Sequence, residues 1–153
     1  MVRRKLPPPA ASQVYELTEW GYLAEPAIQE LGRWAARSQL HDPTLPLSPV
    51  SFMLSMRTML DKQAAKALRM TVGFETGGEQ FVGRLADGEL PIVREPVAGA
   101  DVIFRAATPM ELAALFYRKP PIAEWLGEGR AIDGDRALAQ RFLDLFRLPE
   151  KVG

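Results

Sequence analysis

The spacing of apolar residues changes once between Val14 and Arg37. Val14-Tyr15-Glu16-Leu17 reads as a short strand. From Thr18 onward the apolar residues are Trp20, Leu23, Ala27, Ile28, Leu31, Trp34 and Ala35, and gaps of three and four predict one helical stripe. Thr18 is an N-cap residue, and Glu19 puts an acid in the first turn, where the helix dipole favours it. A stripe carrying two tryptophans needs a covering surface. The rest of the same chain and a second copy both satisfy the spacing. The expectation is a homodimer through Trp20, Leu23, Ile28, Leu31 and Trp34.

Pro43, Pro46 and Pro49 interrupt regular structure after Arg37, so residues 39–49 read as a linker. Ser48 as N-cap and Pro49 in the first turn start a helix with Phe52, Met53, Met56, Met59 and Leu60 on one face. Three methionines there suit either ordinary core or the adaptable wall of an apolar cavity. Asp61 is placed to cap a short turn through Ala64 and Ala65.

Residues 67–106 then shift to a period of two. Leu68, Met70, Val72 and Phe74 alternate with polar or small residues, as do Phe81, Gly83 and Leu85. Gly77-Gly78 and Asp87-Gly88 are hairpin turns. Leu90–Arg94 is a third strand, with Pro91 near its start, and Asp101–Ala106 is a fourth. Short loops between successive strands predict an antiparallel meander.

Thr108-Pro109-Met110-Glu111 is a capping box. It opens a helix carrying Met110, Leu112, Leu115 and Phe116, stopped by Pro120-Pro121. Ile122, Trp125 and Leu126 form a short apolar turn, Arg130–Asp133 a last strand, and Asp135 caps a final helix bearing Leu138, Phe142, Leu145 and Phe146. The predicted class is α+β: an antiparallel β-meander sheet covered by helices, preceded by a hairpin and a long helix.

Composition narrows the function. Nineteen basic residues balance nineteen acidic ones in 153, so no global field favours nucleic acid or membrane. The absence of cysteine excludes disulfides, thiol chemistry and cysteine metal sites, and fits a cytoplasmic location. The single histidine, His41, lies in the proline-rich linker, without a helix or strand to aim it at a metal or a serine. No phosphate-binding glycine loop is present, and no apolar run approaches the ~18 residues a membrane span needs. Asp133 and Asp135 flank Gly134 and read as a turn and a helix cap rather than a metal site. The expectation is a protein that is not an enzyme and has no cofactor or metal.

Two family resemblances refine this. Y-E-L-T-E-W-G followed by a helix ending L-G-R-W-A-A-R resembles the end of the winged-helix domain in HxlR-type bacterial transcriptional regulators. The resemblance implies that residues 1–38 are a wing hairpin and a dimerisation helix. Val2-Arg3-Arg4-Lys5 would be the first wing strand and Pro7–Ser12 its tip. The helices that precede the wing in that family, the recognition helix among them, have no counterpart in this sequence. Sequence-specific DNA reading is therefore not expected, and contact through Arg3, Arg4 and Lys5 would be weak and salt-dependent.

The second resemblance covers residues 50–149. The meander, T-P-M-E-L-A-A-L-F at a helix start, and G-x-A-I-D-G-D before a helix ending F-L-D-L-F look like a sterol carrier protein type-2 domain. It implies an apolar cavity between sheet and helices holding a lipid-like small molecule. The expected lining is Phe52, Met56, Leu60, Phe74, Phe81, Phe104, Leu112, Leu115, Phe116, Trp125 and Phe142, some of them plain core. Arg57, Arg69, Arg84 and Arg105 are candidates to hold a carboxylate head group. The expected function is a regulator-derived, ligand-binding, dimeric protein; the alternative is a stand-alone lipid carrier with no role in transcription.

Overall fold

The computed structural model describes residues 2–5 and 13–152, with side chains from residue 17 onward. The Pro7–Ser12 tip and the side chains of Arg3, Arg4 and Lys5 lie outside the described residues. Strands β1 (Val2–Lys5) and β2 (Gln13–Glu16) pair antiparallel, Val2 opposite Glu16 and Lys5 opposite Gln13. The expected strand pair is present, with Leu17 just beyond its end.

The long helix expected from Thr18 is two pieces, α1 (Glu19–Tyr22) and α2 (Glu25–Ala36). Pro26 is the cause: it has no N–H to give the carbonyl four residues back, and its ring crowds that carbonyl. The break is slight. Leu23 and Ala24 keep right-handed helical angles, with ψ of −15° at each. Thr18 caps the start, its hydroxyl accepting from Gly21 N at 3.2 Å.

Helix α3 (Pro49–Met59) is capped by Ser48 as expected, and Phe52, Met53, Met56 and Met59 are all buried. The methionine stripe is core. Asp61 Oδ1 accepts from Ala64 N and opens the single turn α4 (Lys62–Ala65).

The sheet has five strands: β3 (Met70–Thr76), β4 (Glu79–Leu85), β5 (Ile92–Val93), β6 (Val102–Ala106) and β7 (Ala131–Gly134). Their order across the sheet is β5-β4-β3-β6-β7. The first three strands form the expected meander. The fourth departs from it: β6 runs parallel to β3, Phe74 opposite Phe104. To reach that edge, the segment after β5 crosses the sheet face that the helices leave open. Val97 is buried over Gly73 there, where a Cβ on residue 73 would sit 2.8 Å from Val97 Cβ. Gly73 is the gap that lets the chain pass. Asp101 anchors the far side, its carboxylate accepting from Thr71 N at 2.7 Å and its own N–H donating to Thr71 O at 2.9 Å. Strand β5 is shorter than the expected Leu90–Arg94.

The other sheet face carries Met70, Val72 and Phe74, Phe81 and Leu85, Val102 and Phe104, and Ile132. Helices α3, α5 (Pro109–Ala113) and α7 (Arg136–Leu143) cover it, together with the single turn α6 (Ile122–Trp125), in one apolar core. The capping box at Thr108 forms, Glu111 Oε2 accepting from Thr108 N at 2.8 Å. After Ala113 the helix widens to a π turn, Ala114–Arg118, and ends at Lys119 with φ of 51°. The architecture is α+β, a five-stranded sheet covered on one face by helices. No described helix is long and apolar enough to cross a membrane.

Candidate functional site

The packing of α2 is the reverse of what its amphipathic pattern suggests. Its side toward the chain's own body carries Glu25, Gln29, Gly32, Arg33 and Ala36. Glu25 pairs with Arg57 of α3 at 2.6 Å and accepts from Gln29 Nε2 at 2.8 Å. Gly32 approaches Thr58 closely, its missing Cβ lying 3.5 Å from the threonine methyl. The far end is tied by the tail: Lys151 Nζ donates to the carbonyls of Ala36 and Ser38 at 3.0 and 2.9 Å, and Val152 N to Arg37 O at 2.9 Å. The apolar stripe faces outward. Trp20 is 82 % exposed, Leu23 74 %, Leu31 64 % and Trp34 74 %, with Ile28 half exposed. Of the two coverings the spacing allowed, packing on the same chain does not occur among the described residues.

Where the α1–α2 arm stands over α3 and the β4–β5 edge, it leaves two grooves that meet at Tyr22, Glu25 and Arg57. One holds about 300 Å³, with a floor of Met53, Leu54, Phe81 and Ile92. Leu17, Tyr22, Ile28 and Val50 form its walls, and Arg57 and Arg94 are its cations. Four of those apolar side chains, Leu17, Tyr22, Ile28 and Val50, keep about half their surface in water. Ile28 belongs to this wall as well as to the arm. Arg94 lies 5.6 Å over the Phe81 ring and pairs with Glu79. The second groove, about 670 Å³, is mixed: Gln29, Glu30, Arg33, Lys62 and Glu89 stand among its walls beside Leu23, Pro26, Leu60 and Leu90.

The eleven residues expected to line an internal cavity are all buried in the core. Their rings occupy the space between sheet and helices. The Phe116 centroid lies 5.1 Å from that of Phe104, 5.2 Å from Phe146, 5.9 Å from Phe52, 6.0 Å from Phe142 and 6.2 Å from Phe74. Trp125 closes one side and donates through Nε1 to Glu111 O at 3.0 Å. Met56, Leu112 and Leu115 complete the packing without exposure. Of the eleven, Phe81 borders the apolar groove and Leu60 the second one.

The candidate arginines separate in the same way. Arg57 is at the apolar groove. Arg69 pairs with Asp87 at 3.1 Å on the surface, and Arg84 pairs with Glu95. Arg105 joins Glu75 and Asp133 on the open sheet face, where hydrogen bonding to Asp133 raises its pKa further. Asp135 caps α7, accepting from Ala137 N at 2.7 Å and Leu138 N at 3.1 Å. Arg94 was missed. Alternation through the expected strand Leu90–Arg94 puts it on the same side as Ile92. Near the π turn, Tyr117 bonds Ser55 through its hydroxyl at 2.6 Å, and burial pushes its pKa up to about 12.

The fold is a helix-covered α+β sheet. The chain matches no family model and no curated protein. Among solved structures it is similar to the stereoselective inverting sec-alkylsulfatase Pisa1 from Pseudomonas sp., at 20 % identity and a TM-score of 0.53. A double mutant of that sulfatase gives 22 % and 0.55. Each match covers 70 % of this chain and 17 % of the other, so the chain spans about a sixth of those enzymes and the likeness concerns fold alone. A UbiJ-SCP2 ubiquinone synthesis protein aligns at 17 % identity and a TM-score of 0.45, over 85 % of this chain and 93 % of that one.

Proposed function

We propose that this protein is a non-enzymatic module that holds an apolar or amphiphilic small molecule in the groove under the α1–α2 arm. The observation that carries the reading is the groove itself: half-exposed apolar walls over a buried floor of Met53 and Phe81, with Arg57 and Arg94, each paired with a glutamate, at its edge, where an anionic head would compete with Glu25 and Glu79. The reading favours the groove over the interior cavity expected from sequence because the expected lining residues are buried against one another. Burying about six methylenes at ~0.8 kcal/mol each gives ~5 kcal/mol, a dissociation constant on the order of 0.1–1 mM before any head-group contribution.

Dodecanoate titration followed by native mass spectrometry tests this. One bound molecule per chain is expected, lost in Val50→Asp, which puts a carboxylate in a half-exposed wall without touching the core. No adduct at millimolar dodecanoate, or equal binding by the variant, sinks the reading.

A second reading is favoured by the β1–β2 hairpin, which leads directly into the arm. In it, residues 1–38 derive from the wing and dimerisation helix of an HxlR-type regulator, and the ligand groove lies at the joint between that part and the sheet domain. DNA binding would then be weak and non-specific, through Arg3, Arg4 and Lys5. Fluorescence anisotropy should show a steep loss of affinity with salt and no preference among duplex sequences. The stand-alone carrier alternative predicts the same ligand and no DNA binding.

A further inference from the structure

The outward stripe is a palindrome. Counting from Ala27, the residues four positions either side are Leu23 and Leu31, and those seven positions either side are Trp20 and Trp34. Steps of three and four hold all five on one side of the arm, and all five are exposed. A two-fold interface requires that residue i meet residue j while j meets i. A stripe symmetric about its own centre meets this condition when it packs antiparallel on a copy of itself. Leu23 then faces Leu31, Trp20 faces Trp34, and the smallest side chain lies at the axis, where two helices approach most closely.

From the stripe's exposure, and taking ~150–250 Å² for each large side chain, the patch amounts to roughly 700 Å² per copy. That exceeds the ~300–600 Å² of the largest patch on a typical monomer. It approaches the ~800 Å² each partner contributes to a standard interface. The polar side of α2 is already engaged through Glu25–Arg57, so the helix cannot hide the stripe by rolling over without breaking that pair.

We infer that the protein forms a two-fold dimer in which the α1–α2 arms pack antiparallel with Ala27 on the axis. This inference is independent of the ligand groove. The chain has no cysteine, so single cysteines report the register directly. Ala27→Cys should oxidise rapidly to a covalent dimer. Leu23→Cys should not link to itself, because its copy would lie about 12 Å away along the helix, beyond the ~7 Å Cα separation a disulfide spans. A mixture of Leu23→Cys and Leu31→Cys should link as fast as Ala27→Cys, while Glu150→Cys, an exposed control, should not. Sedimentation should give a dimer for the wild type and a monomer of unchanged circular dichroism for Trp34→Asp, whose site is exposed in the single chain. A monomeric wild type, covered by some other partner or by none, overturns the inference. So does self-linking of Leu23→Cys at the Ala27→Cys rate, which marks a parallel pair, or a Trp34→Asp dimer.

Discussion

Truncating Phe116 to alanine tests whether the space between sheet and helices is solid. Phe116 has no exposed surface and sits among five other rings with centroids 5.1 to 6.2 Å away. Loss of the ring forfeits ~1.5–3 kcal/mol of apolar burial. If its volume of roughly 100 Å³ stays empty, ~24 cal/mol per Å³ adds about 2.4 kcal/mol. The expected cost of Phe116→Ala is therefore about 4–5 kcal/mol, read from urea unfolding as a lower midpoint at unchanged slope. Edge-to-face contacts with Phe104 and Phe146 place the value toward the upper end. Benzene should return part of the loss by filling the new hole, as a dry apolar cavity binds it. The wild type should not respond. A loss below about 1.5 kcal/mol, or benzene stabilisation of the wild type, would refute the packing described and reopen an interior ligand site.

Other perturbations test separate features. Gly73→Ala should cost about 1–3 kcal/mol in thermal or urea unfolding, because the new Cβ lands 2.8 Å from Val97 Cβ; adding Val97→Ala should recover much of it, since the two sites share one contact. Thr108→Ala removes the capping box and should lower stability by about 1 kcal/mol by the same assay. Tyr117 has a pKa raised from 10.0 to about 12 by burial. Above pH 10 the unfolded chain gives up a proton that the folded chain keeps, so stability should fall from pH 10 to about 12. The melting curve of Tyr117→Phe should fall less steeply across that window, and equal slopes for the two proteins would show that the hydroxyl is solvated.

Local rules carried much of the fold because they depend on few neighbours. Thr18, Ser48, Asp61, Thr108 and Asp135 all cap helices, since an N-cap oxygen and its N–H lie within three residues of each other. Alternation along β3 and β4 put Phe74 opposite Phe81 on the core face, because strand period follows from backbone geometry alone. The same arithmetic placed Trp20 and Trp34 on one side of the arm.

Long-range partnership is another matter. Short loops suggested that each strand would pair with the one before it. The gap at Gly73 instead admits Val97, and β6 crosses to run beside β3. Whether Phe104, Phe116 and Phe142 line a hollow or fill it depends on volumes summed over elements far apart in the chain; all three are fully buried, with centroids 5.1 to 6.0 Å apart. The direction of the arm's apolar stripe was likewise open until Glu25 met Arg57 and turned the polar side inward. Local spacing and capping account for most of the elements and for which residues share a side of each. Which faces meet, and so where apolar surface stays exposed, follows from contacts between residues far apart in the chain.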